Sequence, residues 1–444
     1  MRQRLLLLAL AGYLSACGSD GITTPAPSPT PAPAGSRDWP MYGHDAGRTN
    51  YNAGEKSITP ANVAQLRPRF HAVVGMGDIP SSSGPVMADG RVCAGSSVPQ
   101  GNNYFCFDAT TGAPLWSANV GHPTLVRGNV GIGATAAISN GVLAVGGGDA
   151  AYYALAADTG RILWRHPLAV GPDGFAWASP LIANGLVYVG VSSAYVALRG
   201  EVRALDFDTG AVRAQRYFVP LGQRGADIWN SPALSADGAR LVVATGNDFG
   251  GFNGPLTRAI VALDPMTLAV LDVHREAASD QDLDFGTTPV VFHDAQGRAL
   301  VGANEKNGTF FAYEVGSIGP GAIWSRPTGI GVGAMPAYDP DVGPGGTLFI
   351  VGDTGLLFAV DPATGADRWP PVAVGFSNGN IALANGLVFM GAGSGTVAIL
   401  DAATGALLRI LAPDTPGPTF SGVIVANGMV YAMAGPNLNA WGLP

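Results

Sequence analysis

Asp280, Asp282 and Asp284 stand at alternate positions in the stretch SDQDLDFGTTP, in a chain of which only 13% is charged. In an extended segment, side chains two apart leave the same face, so these carboxylates would repel one another. Water at an exposed loop, a bound cation, a lysine, or a reaction that needs a base would each compensate. Elsewhere the chemistry is thinner. GFSNG, from Gly375, fits GxSxG, but a nucleophile elbow requires a strand, turn and helix in an α/β sheet. His44, His71, His122, His166, His274 and His293 are scattered without metal-ligand spacing. DPDVGPGG, from Asp339, lacks the terminal glutamate of an EF-hand loop and reads as a turn. Cys93 and Cys106 fall on two candidate neighbouring strands, as a cross-strand disulfide or as two buried thiols. With no CxxC and no CxxCH, neither a zinc knuckle nor a covalently attached c-type haem is expected.

The elements that must position these residues announce themselves by repetition. YFCFDATTGAPLW from Tyr104, YYALAADTGRILW from Tyr152, VRALDFDTGAV from Val202, IVALDPMTLAV from Ile260, LFAVDPATGADRW from Leu357 and VAILDAATGALL from Val397 are copies of one phrase, and FFAYEVGSIGPGAIW from Phe310 is a weaker one. Alternating apolar residues make a strand, Asp and Thr-Gly a tight turn, and a second strand follows. Between copies lie further hairpin strands opened by Asn-Gly or a similar turn. The copies recur about every 40 to 58 residues, the size of a four-stranded propeller blade. Seven copies and the partial MVYAMAGPNLNAWG predict an all-β propeller of eight blades, with LRPRFHAVVG from Leu66 completing the last. Residues 38–444 are thus read as one domain. The 64 glycines and 34 prolines suit many turns, while 47% hydrophobic residues argue against disorder. A balance of 24 Lys+Arg against 32 Asp+Glu, net −8 without a basic run, leaves no electrostatic footprint for nucleic acid.

The N-terminus reads as processing. Arg2 and Arg4 precede an apolar run too short to span a bilayer, so residues 1–16 are expected to be a signal peptide. LSAC, ending at Cys17, resembles the lipobox of bacterial lipoproteins, which implies lipidation of Cys17. Gly18 after it favours the outer membrane. Residues 17–37, rich in Pro, Ser and Thr, form an extended tether. The expected location is the periplasmic face of the outer membrane or the cell surface.

The repeated ALDxxTGxxxW resembles the tryptophan-docking blade motif of dehydrogenases dependent on pyrroloquinoline quinone (PQQ). DWPMYGHDAGRTNYN, from Asp38, resembles the opening of the polyvinyl-alcohol-dehydrogenase-like branch. Alcohol oxidation by a quinone needs a base for the hydroxyl proton, a cation or donors at the quinone oxygens, and a flat floor. The resemblance implies Asp284 as the base, Lys306 in NEKNGTFFAY at the quinone oxygens, and Trp229 in DIWNSP as the stacking floor. It further implies Asn247 and Asp284 as calcium ligands, Arg127 as cofactor anchor and Ser192 as a polar cofactor contact. Asp280 and Asp282 are expected in a solvated loop.

Two departures bear on this. Tyr195 stands where the family carries a calcium-ligating glutamate, and a neutral phenol is a poor ligand for a hard cation. Paired cysteines ahead of Arg127 are absent, HPT standing nearby. Without attached haem, electrons would leave through an external acceptor. The same blade also builds a non-catalytic lipoprotein of the outer-membrane β-barrel assembly machinery, so a scaffold for protein partners stands as the alternative to an alcohol dehydrogenase.

Overall fold

The computed structural model describes residues 37–444 apart from 76–81, 124–130, 169–173, 194–197, 249–253, 278–281, 330–331, 333–334, 353 and 376–378. The repeated phrases fold as antiparallel sheets, each running from an innermost to an outermost strand in chain order. Eight such sheets form an eight-bladed β-propeller, here numbered blade 1 (86–118), 2 (137–167), 3 (174–217), 4 (233–275), 5 (290–327), 6 (337–373), 7 (381–411) and 8 (423–442). Blade 8 takes its outermost strand, Arg67–Val73, from the other end of the chain, paired against Asn437–Gly442. The only helical turn among the described residues is Val63–Gln65.

The blade phrase has a physical explanation in its turn. Asp108 Oδ1 accepts the backbone N–H groups of Thr110 and Thr111 and the Thr111 hydroxyl, and Asp206, Asp264, Asp361 and Asp401 make similar bonds to the threonine three residues on. The glycine after that threonine has left-handed φ, and the neighbouring blade's aromatic ring lies on it. Trp116, Trp164, Trp324 and Trp369 cover Gly160, Gly210, Gly365 and Gly405, where an added Cβ would lie 2.4–2.9 Å from the indole. Each indole N–H donates to a carbonyl of the same neighbouring turn. Blade 8 uses Phe70 instead, over Gly112 of blade 1. Blade 4 uses Asp272, which accepts the N–H groups of Ile318 and Gly319. Blade 3 has Ala214 at this position. The turn that it faces carries Leu268 at φ 56, with no ring to exclude its side chain.

Residues 39–52 form a belt that visits the inner part of every blade. Trp39 pairs with Met87 of blade 1, and Pro40 O accepts Ile138 N of blade 2. The fully buried Arg48 donates to the carbonyls of Ser179, Pro180 and Pro232, at the entries to blades 3 and 4. Ala46, Gly47, Thr49 and Asn50 carbonyls accept from Leu234, Val291, Tyr338 and Leu383, and Asn52 Nδ2 donates to Val425 O. The segments entering the inner strands are also linked to one another through hydroxyls. Gly84 N donates to Thr135, Thr135 N to Ser179, Ser179 N to Ser231, and Ser231 N to Thr288, at 2.7–3.0 Å.

Candidate functional site

On that hydroxyl relay stand two loops that enter inner strands, one with Asp227 and Trp229 before blade 4, the other with Asp282 and Asp284 before blade 5. Two turns leaving the second strands face them, with Asn247 in blade 4 and Lys306 in blade 5. Asn230 Nδ2 donates to Phe285 O and Lys306 N to Asp284 O, which fixes the backbones against each other. Asp284 is 2% exposed. Its Oδ2 accepts the Trp229 indole N–H at 3.0 Å, and its Oδ1 lies 2.6 Å from Lys306 Nζ, an ion contact without the alignment of a directed hydrogen bond. The ammonium also reaches Asp282 Oδ1 at 2.7 Å and stands 5.0 Å from the centre of the Trp229 ring. Asn247 Nδ2 donates to the same Asp282 oxygen at 2.6 Å, and its Oδ1 accepts Leu283 N.

Asp282 therefore takes part in the cluster rather than standing as a purely solvated loop residue, although its side chain is 66% exposed. Ser192 is buried and donates its hydroxyl to Ile228 O, behind Trp229. Cys93 and Cys106 face each other across neighbouring strands of blade 1 as a disulfide, with Cα atoms 4.1 Å apart. Cys17, Arg127, Tyr195 and Asp280 lie outside the described residues.

Burial pushes the Asp284 carboxyl above the usual range, against the pull of Lys306 and the Trp229 N–H. For Lys306 the effect of burial is outweighed by Asp284 and Asp282, so its ammonium is held more firmly than in water. Asp282, though partly desolvated, is lowered by its bonds to Lys306 and Asn247. Asp227 is a further member that no sequence pattern singled out. Its Oδ2 accepts Ser193 N at 3.0 Å and lies 3.3 Å from the Ser193 hydroxyl, and its Oδ1 fills the space beside Gly246, where a Cβ would be 2.0 Å away. Burial and then the charge of Asp284 raise it to about 7. The chain's lysine usage carries a signal for the site. Of 24 basic residues only Lys56 and Lys306 are lysine, and one of the two is here.

A planar, anionic ring system suits these residues. Trp229 is half-buried and offers a flat surface, and Lys306 supplies a fixed cation beside it. Asn247 Oδ1 accepts Leu283 N, and among the described residues no three His, Cys, Asp or Glu side chains gather as a metal site. An apolar cleft lined by Ala392, Gly393, Ser394, Pro418, Thr419 and Phe420, between blades 7 and 8, shares no residue with the cluster and carries no titratable side chain.

The fold and this cluster define a quinoprotein-dehydrogenase-like propeller. A model of the PQQ_2 family, described as "Outer membrane protein assembly factor BamB", matches residues 100–369 and 312–433, and the chain belongs to that family. Among curated proteins, quinohemoprotein alcohol dehydrogenase of Comamonas testosteroni is 25% identical over 388 residues, 76% of this chain and 52% of its own. Polyvinylalcohol dehydrogenase of Sphingopyxis sp. (strain 113P3) is 24% identical over 365 residues, 64% of this chain and 56% of its own. The chain spans about half the length of these relatives. Among solved structures, a europium-containing methanol dehydrogenase superposes with a TM-score of 0.78 at 16% identity, over 93% of this chain and 99% of the other. BamB from Moraxella catarrhalis gives 0.60 at 18%, over 85% and 99%. At these identities the structural likeness concerns the fold.

Proposed function

We propose that the chain is an exported, lipid-anchored quinoprotein that oxidises an alcohol and passes the electrons to an external acceptor. The observation that carries this reading is the buried Asp284, bracketed by the Trp229 indole N–H and the Lys306 ammonium. PQQ, when bound, supplies the acceptor for the hydride that leaves the alcohol carbon. Trp229 would lie beneath it, Lys306 would meet its anionic oxygens, and Arg127 and Ser192 would contribute at its periphery. Asp284 takes the hydroxyl proton. Lys306 and the indole favour its ionised form against the effect of burial, and Asp282 with Asn247 holds Lys306 in place.

Residues 1–16 as signal peptide, Cys17 as the acylated residue, 17–37 as tether and 38–444 as one propeller domain complete the proposal. Cys17→Ser should abolish membrane fractionation, and an acyl mass on wild-type Cys17 checks the anchor. For the activity, purified protein mixed with PQQ should acquire a quinone absorbance that survives gel filtration and should reduce a dye with an alcohol as donor. A wild type that binds no PQQ overturns the enzyme reading. The alternative, a protein-interaction scaffold at the outer membrane, is favoured by the BamB description of the matching family and by Tyr195 in place of a carboxylate. Retained partner binding in a protein without quinone affinity would support it.

A further inference from the structure

Lys306 and Asn247 belong to turns of separate sheets, yet both side chains meet at Asp282. Something must hold the two turns in register. Lys306 is the corner of a tight turn in which Gly308 N donates to Glu305 O. Glu305, the last residue of the strand Ala299–Glu305, is 1% exposed. One of its carboxylate oxygens receives Arg258 Nη2, and the other receives Asn307 Nδ2 from the Lys306 turn itself. Arg258, 3% exposed, immediately precedes the third strand of blade 4, Ala259–Leu263. Its backbone N–H donates at 2.9 Å to Gly246 O, immediately before Asn247, and its Nη1 donates to Ala277 O. One buried ion pair thus runs from the Asn247 turn to the Lys306 turn.

We propose that the Arg258–Glu305 pair is a positioning device, a strut between blades 4 and 5 that sets the Lys306 ammonium on Asp284 and Asp282. Two observations argue against a role confined to stability. A buried ion pair is seldom more stabilising than apolar residues of similar volume, and its best-attested use is to fix register. Arg258 also adopts φ +49, a conformation that side-chain-bearing residues rarely take. The sequence tolerates that conformation where it directs the guanidinium across the blade boundary. Glu276 and the Arg275–Asp248 pair stand on adjoining segments, and Glu276 accepts the Tyr313 hydroxyl at 2.7 Å.

The proposal rests on the reading of Lys306 as the cation that favours ionised Asp284, but its test requires no quinone. With only Lys56 and Lys306 in the chain, 15N-lysine labelling yields two ammonium signals, and Lys56→Arg assigns them. The exposed Lys56 exchanges its protons with water, whereas the pinned Lys306 ammonium should give a persistent 1H–15N cross-peak with a high order parameter. In Glu305→Gln that cross-peak should disappear or its order parameter fall, while the tryptophan indole signals remain dispersed. An unchanged Lys306 signal in folded Glu305→Gln overturns the strut. Should that variant fail to fold, Arg258→Met/Glu305→Met removes both charges at similar volume, and the same loss is expected of it; a retained signal there also overturns the proposal. Absence of PQQ binding by the wild type would instead sink the quinoprotein reading and leave this result standing.

Discussion

The indole N–H of Trp229 is bonded to Asp284 Oδ2 at 3.0 Å, so the aromatic surface of the site and its buried carboxylate are one mechanical unit. Trp229→Phe keeps an aromatic surface and removes the donor. A hydrogen bond to a charged group contributes roughly 1.5–3 kcal/mol, and here it favours the ionised form. Losing it should raise the Asp284 pKa and move the acid limb of the kcat/KM profile upward by about one unit. A pH–rate series in the dye-linked assay checks this; an unmoved limb would separate the two residues functionally.

Asp284 and Asp282 share a lysine but differ in burial. Asp284→Asn leaves a buried amide unable to take a proton, and activity should fall by roughly a thousandfold or more with PQQ binding largely kept. Asp282→Asn loses a pair on the exposed side, where such pairs contribute about 0–1 kcal/mol. Its effect should stay below about tenfold. Equal losses in the two variants would assign the proton to neither carboxylate alone.

Asp227 titrates near 7 in the folded chain against 3.8 for a free side chain. Between those values the native state keeps a proton that the unfolded state has released, so stability falls as pH rises through this window. Asp227→Asn removes that slope. The variant's gain in Tm over wild type should be larger at pH 8 than at pH 5, and a gain of the reverse order would contradict the assigned burial.

Ring closure rests on Phe70 over Gly112, where a Cβ would meet the ring at 2.3 Å and φ is +73. Gly112→Ala should cost roughly 1–3 kcal/mol through overpacking and the left-handed backbone. Alanine at Gly90, with similar φ but open space around it, should cost less. Urea midpoints of the two variants make the comparison.

The blades were legible because each repeat advertises its own turn. An Asp whose carboxylate caps a Thr-Gly bend, followed by a tryptophan, leaves a residue pattern at fixed spacing. Phe70, Asp272 and Arg409 do related work without that pattern; Arg409, at the corresponding place in blade 7, donates to Ala64 O and Leu66 O. In the site, the Asp284, Lys306 and Trp229 segments were recognisable by resemblance, and the structure brings those three side chains together. Asp282 was underestimated because an alternating run of aspartates says nothing of the lysine that arrives from the next hairpin. Asp227, Arg258 and Glu305 lie in no repeat, and their importance depends on a blade-to-blade contact that only the closed ring creates. Yet the rarity of lysine, two among 24 basic residues, sets Lys306 apart in the sequence itself.

The belt of residues 39–52 has a consequence for how the molecule comes into being. It precedes all eight blades in the chain, yet its hydrogen bonds run to strands from residue 87 to residue 425. The earliest part of the folded domain to be synthesised is therefore the last to be satisfied, and blade 8 is incomplete until Arg67–Val73 returns to it. Contacts of such sequence separation slow folding, because the loops between them must be closed before any reward is gained. Partial chains ending anywhere before blade 8 would hold exposed strand edges and an incompletely paired belt. Completion of the ring becomes a late, all-or-none event that welds both ends of the domain at once.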